Sequence, residues 1–424
     1  MPQRRPRTEA NRKTNVGVAR AVPVLLLAII GYASWVITEL VCIDYLQLNG
    51  SAVAVLITYY ILLTVLLIAY GRLLYAVIRR PGLIPRGPQW YAQNSRKSKR
   101  REKQMDNSDS GDLAKIPIPK VYSANESLPF RVEDFWLRDV FVCNPDGRPS
   151  FCSECYNWKP DRAHHCSELN RCVAKMDHLC PWVGGVVAEA SFKYFLQFTF
   201  YAAILCTEIL IVMAYFFAQR RKHTDFLNTH WVVMIALSGL FLLFSAGMFM
   251  SSCQFALLNV TTIENLSRKT KVWYLAVYAS PQVVEEVHKK RIELKLISYP
   301  RPPEEELRAA QNGDVDRQSP VRPSSAPAQL PVNHRIFAIL ESRPGQNPFH
   351  LGNLANFQDL MGTTIWEWLN PFSPSPTATH DDPTSLYKLG PAVDEMKAST
   401  GLDAWTSEKR RRRRRRKSST SEGL

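Results

Sequence analysis

Charged residues are absent from long stretches of this 424-residue chain, although 53 Lys and Arg and 38 Asp and Glu residues occur elsewhere. Ala52–Tyr70 and Trp231–Phe255 contain no charge, Phe195–Phe217 contains only Glu208, and Ala21–Val41 has one acidic residue near its end. Each segment has about 19–25 residues, enough at ~1.5 Å per residue to cross a hydrocarbon core of ~30 Å. Long buried helices of a soluble protein are the alternative, but four in one chain favour an α-helical multi-pass membrane protein with four spans.

Other features are also missing. The chain has no internal repeat besides its basic tracts, which argues against a solenoid. No clean small-residue cleavage site follows the first apolar stretch, and that stretch is too long for a cleavable signal peptide. Glu208 is the only charge inside the spans away from their ends, which makes an ion channel or transporter a weak interpretation.

Basic residues beside the spans predict the orientation. They are frequent before the first span and after the second, whereas the first connection, Cys42–Ser51, has none. The third connection, with Arg220, Arg221 and Lys222, departs from this pattern. Since four spans return both ends to one side, we expect both termini and the segment between the second and third spans to be cytosolic.

Composition divides the rest of the chain. Asn94–Asp112 is almost entirely polar and Pro300–Pro331 is rich in proline and charge, so both are expected to be disordered. The predicted organisation is a cytosolic basic N-terminus (1–20), spans at 21–41 and 52–70, a partly disordered loop (71–127), a compact cysteine-rich domain (128–194), spans at 195–217 and 231–255, a cytosolic segment (256–299), a disordered linker (300–344), a C-terminal cytosolic motif (345–372) and a disordered tail (373–424).

The net charge of +15 depends largely on one run at Lys409–Lys417, which supplies nine positive charges and leaves +6 for the rest. In a protein with four spans, attraction of Arg410–Arg416 to an anionic leaflet is more plausible than nucleic-acid binding. A solvated tail without a partner is the alternative. We expect the lipid bilayer, and no nucleic acid, as a partner.

Five of the nine cysteines fall between Cys152 and Cys180. Because a cytosolic location disfavours disulfides, metal binding or thiolate chemistry is the better interpretation. Two thiolates spaced as Cys152-Ser-Glu-Cys155 are typical of a Zn²⁺ site. The predicted ligands are Cys152, Cys155, one histidine of His164–His165, and Cys172. Reduced core cysteines without metal are the alternative.

The run Asp177-His178-Leu179-Cys180-Pro181-Trp182 lies shortly before the third span. A cysteine reacts as its thiolate, a nearby imidazole can accept the proton, and a carboxylate can orient that imidazole. His178 and Cys180 as two more zinc ligands are the alternative. The position beside the bilayer favours chemistry on a lipid-like substrate.

Cys152–Trp182 resembles the cysteine-rich domain of the DHHC protein S-acyltransferases, or palmitoyltransferases, and the four-span layout is also similar. Thr261-Thr262-Ile263-Glu264 resembles the TTxE motif of that family. Pro81-Gly82 resembles its DPG motif, with Arg80 in place of Asp. Asn347-Pro348-Phe349 with Asn356-Phe357 resembles its C-terminal motif. The DHLC sequence is similar to fungal members that carry a variant DHxC motif.

The resemblance implies that Cys180 is the nucleophile, that it takes a palmitoyl group from palmitoyl-CoA as a thioester, and that it passes the group to cysteines of membrane-associated substrate proteins. His178 would be the base and Asp177 its orienter. The first zinc site of the family corresponds to Cys152, Cys155, His165 and Cys172.

The second zinc site of the family does not carry over. Only Cys166 matches, and apolar residues stand at the other three positions: Leu169, Leu179 and Val186. We expect these residues to form an apolar plug in place of the metal and predict one zinc ion per chain. The base and the nucleophile remain, so DHLC does not by itself indicate a pseudoenzyme.

Further residues are candidates for supporting roles, and some of them also have an ordinary structural explanation. Lys159 and Arg162 are candidates for binding CoA phosphates, or are surface charges. By resemblance, Thr262 would hydrogen-bond Asp177; a helix cap is the alternative. The remaining supporting residues are Thr261 and Glu264 of the TTxE motif, Trp182 facing the acyl chain or the interface, and Asn347 and Asn356 tying the tail to the core.

Two functions remain in competition. The first is a protein S-acyltransferase acting through acyl-Cys180. The second is an inactive, zinc-stabilised membrane adaptor. The Cys180→Ser variant distinguishes them, because it should fold normally and lose only acyl transfer if Cys180 is catalytic.

Overall fold

The computed structural model of the protein describes residues 9–94, 132–224, 228–300, 334–380 and 382–405. Apart from Asn94 and Pro300, the segments Asn94–Asp112 and Pro300–Pro331 that were predicted to be disordered lie outside these ranges, as do the first eight residues of the basic N-terminus and the polyarginine run Arg410–Arg416.

Four helices are long and apolar enough to cross a membrane. Helix α1 covers Glu9–Trp35 and continues as a π-helix over Val36–Ile43; α2 covers Gly50–Arg79, α3 Phe192–His223, and α4 Thr229–Leu258. Each contains one predicted apolar segment and extends beyond it. The sequence prediction of four spans is confirmed, and the protein is an integral membrane protein.

Side chains at the helix ends explain where two spans begin. Asn49 accepts a hydrogen bond from the amide of Ala52 at 3.0 Å, and Asn228 accepts one from the amide of His230 at 3.0 Å. Such N-caps satisfy amides that have no partner inside the helix. Arg220, which departs from the charge pattern, lies with its guanidinium 5.1 Å from the ring centre of Trp231, so an aromatic contact holds this cation at the helix end.

The chain forms two compact units. The first consists of Met1–Phe130, Phe151–Arg268 and His350–Asp381. It contains the four spans, three short β-hairpins, the one-turn helix α5 (Thr262–Asn265), and the C-terminal helices α7 (Asn353–Met361) and α8 (Ile365–Leu369). The hairpins are β2–β3 (Phe151–Cys152 and Asn157–Trp158), β4–β5 (His164–Cys166 and Arg171–Val173) and β6–β7 (His178–Cys180 and Gly185–Val187).

The second unit consists of Arg131–Ser150, Lys269–Phe349 and Asp382–Leu424. It contains an antiparallel sheet in the order β1-β8-β10-β9, formed by Val140–Cys143, Tyr274–Tyr278, Arg335–Glu341 and Leu296–Tyr299. Helices α6 (Pro281–Lys290) and α9 (Pro391–Ser399) contribute Val283, Val287, Val393 and Met396 to the core of one face. The aromatic residues Phe141, Tyr299 and Phe337 belong to a second buried cluster.

This unit corrects three predicted boundaries. Strand β10 lies inside the predicted disordered linker 300–344, and α9 lies inside the predicted disordered tail 373–424. Strand β1 belongs to the sheet and not to the predicted cysteine-rich domain 128–194. The physical reason is that each short apolar run is stabilised by partners distant in sequence, which local composition does not reveal.

Candidate active site

The first two hairpins bring together four metal-ligating side chains. Atoms of Cys152, Cys155, His165 and Cys172 lie within 4.8 Å of one another, and the three cysteines are buried. Nδ1 of His165 is 3.4 Å from the sulfurs of Cys152 and Cys155 and 3.8 Å from that of Cys172. In a zinc tetrahedron with Zn–S ~2.3 Å and Zn–N ~2.0 Å, the nitrogen–sulfur edge is about 3.5 Å. These residues therefore fit a Cys₃His zinc site, and His165 rather than His164 supplies the nitrogen.

The residues predicted to form an apolar plug do pack together. Cys166 and Val186 are buried in one hydrophobic cluster, and Leu169 and Leu179 pack against it. Leu179 lies directly opposite Val186 in the β6–β7 hairpin. Side-chain packing thus joins this hairpin to the β4–β5 hairpin.

Strand β6 places the predicted acid–base pair beside the cysteine. Oδ2 of Asp177 is 2.6 Å from Nδ1 of His178, and the ring of Phe195 packs against the imidazole with its centroid at 5.4 Å. Nε2 of His178 is buried and makes no hydrogen bond within the described chain. His178 and Cys180 are two residues apart on one strand, so their side chains leave it on the same face. Nε2 is therefore the nitrogen available to the thiol.

The charge of His178 is set by opposing effects. Burial favours the neutral imidazole, but the hydrogen bond to Asp177 and the neighbouring Cys180 thiol favour the imidazolium. Together they raise the pKa of His178 to about 9. Near neutral pH the site therefore holds a positively charged imidazole next to the cysteine.

A second set of contacts fixes Asp177. The amide of Thr262 donates to Oδ1 and its hydroxyl donates to Oδ2, both at 2.8 Å. The hydrogen bond expected between Thr262 and Asp177 is thus present. The helix cap is supplied by Thr261 instead, whose hydroxyl accepts from the amide of Glu264, while the Glu264 carboxylate accepts from the amide of Thr261.

Arg162 requires a correction. It was expected at the surface as a ligand for CoA phosphates, but its side chain is fully buried. The guanidinium donates to both carboxylate oxygens of Glu264, at 2.9 and 2.6 Å, and to the side chain and carbonyl of Asn259 at 2.8 and 3.0 Å. Arg162 therefore joins the cysteine-rich segment to the end of α4. The reason is tertiary: a buried carboxylate 102 residues away in sequence neutralises it.

Two glycines allow the catalytic hairpin to turn and to approach α2. Gly184 adopts a φ of +69°, in the left-handed region that favours glycine. A Cβ atom on Gly185 would lie 2.5 Å from a methyl carbon of Val77. Strand β7 can therefore pack closely on α2 only because this position has no side chain.

An apolar cavity of about 120 Å³ begins at Trp182 and is lined by residues of all four spans. The serine and threonine hydroxyls of its lining are satisfied within their own helices; Ser245, for example, donates to the carbonyl of Phe241 at 2.7 Å. Tyr70 donates from its hydroxyl to the carbonyl of Trp182 at 2.9 Å and thereby connects two residues of the lining. Tyr70 was not predicted as a site residue; its only signal was an aromatic residue at a span end.

Comparison with known proteins decides the family. A family profile described as DHHC palmitoyltransferase matches residues 146–269. The chain is 40% identical over 439 residues to "Palmitoyltransferase pfa5" of Aspergillus fumigatus, covering 95% of this chain and 94% of that protein. The chain belongs to the DHHC palmitoyltransferase family. It is also 39% identical to "Palmitoyltransferase pfa5" of Emericella nidulans, covering 93% of this chain and 88% of that protein. Human "Palmitoyltransferase ZDHHC3" is 37% identical over 131 residues, covering 29% of this chain and 44% of that protein.

The protein is therefore a palmitoyltransferase, and acyl-CoA is the donor used by its family. Its C-terminal motif divides between the two units. Asn356 donates to the carbonyl of Leu257 at 2.7 Å and so ties α7 to the end of α4. The Asn347 side chain accepts from the amide of Phe349 at 3.0 Å, a local turn contact. Lys159 is half-buried near the zinc ligands in sequence, and its role stays a prediction.

Proposed function

We propose that this palmitoyltransferase works through an acyl-Cys180 thioester, with His178 moving the proton and Asp177 orienting His178. The observation that supports this most directly is the 2.6 Å Asp177–His178 contact, which occupies Nδ1 and leaves Nε2 for the thiol. In the first step the Cys180 sulfur attacks the thioester carbonyl of palmitoyl-CoA. The bond from that carbonyl to the CoA sulfur breaks, and the proton held on His178 passes to the departing CoA thiolate.

The second step reverses the proton transfer. His178, now neutral, accepts a proton from the thiol of a substrate protein, and the resulting thiolate attacks the acyl group on Cys180. The bond between the acyl carbon and Cys180 breaks, and the imidazolium again faces the Cys180 thiolate. Thr262 contributes by holding both oxygens of Asp177, which keeps the carboxylate in place as His178 changes charge.

The cavity among the spans is the proposed site of the acyl chain. Trp182, at its entrance, is two residues from Cys180, so an acyl group on the sulfur can extend directly into apolar surroundings. Tyr59, also in the lining, hydrogen-bonds Ser34 at 2.9 Å. The spans would thus shield the acyl chain while the thioester stays at the membrane interface. The basic residues that flank the spans favour a cytosolic position for Cys180 and for both termini.

One zinc ion per chain would be held by Cys152, Cys155, His165 and Cys172. The metal would supply structural cross-linking of the first two hairpins and no reaction step. The chain itself holds the third hairpin through the apolar plug and through Asp177, whose amide donates to the carbonyl of Val187 at 3.0 Å. Of the predicted phosphate ligands, Lys159 remains proposed, whereas Arg162 is already neutralised inside the protein.

The test is covalent acyl loading of full-length protein in detergent or vesicles. We expect label from tagged palmitoyl-CoA on the wild type, removable by hydroxylamine, and none on Cys180→Ser. Cys253→Ser, a cysteine in α4 outside the hairpin, is the matched control and should load normally. Equal label on wild type and Cys180→Ser would contradict the proposal. No label on a correctly folded wild type would favour the membrane adaptor.

A second measurement addresses the substrate proteins. A peptide with one cysteine beside a lipid anchor should remove the label from the loaded enzyme faster than the same peptide without an anchor. The reason is that the proposed thioester lies at the membrane interface, where a lipid anchor would concentrate the peptide. Equal rates would argue against membrane-associated proteins as the substrate class.

A further inference from the structure

Four large apolar side chains are exposed together near the C-terminal end of the first unit. They belong to α8 and the residues after it, and their exposed fractions are 68% for Ile365, 75% for Trp366, 40% for Leu369 and 63% for Phe372. Single exposed apolar residues are ordinary, but a contiguous group usually marks an interaction surface.

This group lies on a firmly held segment. Four side chains of α2 and α3 donate hydrogen bonds to backbone carbonyls of this segment and of the residues just before and after it. Arg72 donates to Pro371 at 3.2 Å, Lys193 to Met361 at 2.8 Å and Pro374 at 3.3 Å, Gln197 to Trp368 at 2.9 Å and Asn370 at 3.1 Å, and Tyr201 to Leu369 at 2.6 Å. Lys193 and Gln197 are buried beneath it. The apolar side chains therefore point outward from a fixed backbone.

The donors place the segment at a particular level along the spans. Arg72 follows the uncharged stretch of α2, which ends at Tyr70, and Lys193 precedes the apolar stretch of α3, which begins at Phe195. Polar groups beside the ends of spans lie in the interfacial region of a bilayer. Exposed Tyr75 on α2 continues the apolar surface beside the segment, with the Arg72 guanidinium 5.8 Å from its ring centre.

The acidic residue of α8 does not oppose lipid contact. The Glu367 carboxylate accepts hydrogen bonds from the amides of Thr363 and Thr364, at 2.8 and 2.9 Å, and so caps its own helix. Its negative charge is thereby stabilised by backbone amides at the start of α8. Trp is the residue most typical of the zone between headgroups and acyl chains, because it is large, apolar and carries one polar N–H group.

We propose that residues 364–372 form an interfacial anchor that lies in the leaflet on the Cys180 side of the membrane, with Ile365, Trp366, Leu369 and Phe372 among the lipids. The segment is too short to span, so it lies along the surface. Its inner side packs against the hydrophobic cluster that contains Cys180. Met361 is buried in the cluster that contains Cys180, and Trp368 packs against that cluster. The anchor thus connects the lipid surface to the packing around the nucleophile.

Photocrosslinking of the full-length protein tests the proposal. Trp366 and, separately, Phe372 are replaced by p-benzoylphenylalanine, and the protein is illuminated in vesicles of phosphatidylcholine and phosphatidylserine. Tyr215, exposed on α3, serves as the lipid-facing control, and Phe151, an exposed aromatic residue of the cysteine-rich segment, as the control outside the spans. The protein is then digested, and peptides that carry a lipid are identified and quantified by their added mass in mass spectrometry.

We expect lipid adducts at positions 366 and 372 with yields within about threefold of the Tyr215 position, and at least tenfold fewer at the Phe151 position. Because both replaced side chains are exposed, the variants should fold, which gel filtration checks. Adducts that link two protein chains would mean that a second copy covers this face and would overturn the proposal. Yields at 366 and 372 as low as at the Phe151 position would overturn it as well.

Discussion

Replacing Leu179 with histidine should destabilise the protein, although it recreates the sequence DHHC. Leu179 lies opposite Val186 and packs against the apolar cluster that contains Cys166 and Val186. The change removes part of an apolar contact worth ~1.5–3 kcal/mol when fully buried. It also leaves a polar ring without a partner, at ~1–3 kcal/mol. Since Leu179 is only partly buried, we expect a loss of roughly 2 kcal/mol in the free energy of unfolding.

The assay combines unfolding in detergent with zinc counted per chain by mass spectrometry. Leu179→Met, which conserves volume, is the matched control and should stay within about 1.5 kcal/mol of the wild type. Adding Leu169→Cys and Val186→Cys to Leu179→His, with Cys166 present, completes a set of zinc ligands. We expect this triple variant to regain stability and to bind two zinc ions per chain. Two zinc ions in the wild type, or a single Leu179→His variant as stable as Leu179→Met, would refute the reasoning.

Three further predictions concern the surroundings of the nucleophile. Arg162→Met should cost about 3–5 kcal/mol, because Glu264 stays charged in a buried position, and adding Glu264→Gln should recover part of that loss in the same unfolding assay. Because the pKa of His178 is about 9 against an ordinary 6.5, its contribution to stability should be complete below pH 6.5 and be lost as the pH rises through about 9. This fall is about 3 kcal/mol at ~1.4 kcal/mol per pH unit. Unfolding measured across that window should be flatter in Asp177→Asn; an unchanged slope would contradict the assignment. Gly185→Ala brings a Cβ atom to 2.5 Å from a side chain of α2, so acyl loading should fall at least tenfold while zinc content stays constant; normal loading would show that the hairpin tolerates displacement.

Features that depend on residues close together in the chain could be predicted from the sequence alone. Four uncharged or nearly uncharged stretches predicted four spans, because a hydrocarbon core requires a run of apolar residues of fixed length. The spacing of Cys152, Cys155, the His164–His165 pair and Cys172 predicted a zinc site, and the folded hairpins bring Cys152, Cys155, His165 and Cys172 together. The apolar replacements Leu169, Leu179 and Val186 likewise predicted the packed plug, since side chains that cannot bind metal can still fill its place.

Features that depend on contacts between residues far apart in the chain became visible only in the folded protein. Arg162 was predicted to bind CoA phosphates or to be a surface charge, because its partner Glu264 follows two spans later in the sequence. Strand β10 was read as part of a linker, because its stability comes from pairing with β8 and β9 and not from its own composition. The carbonyl groups that hold α8 are invisible in a sequence for the same reason: backbone acceptors exist at every residue, and only the fold selects which ones meet Gln197 and Tyr201.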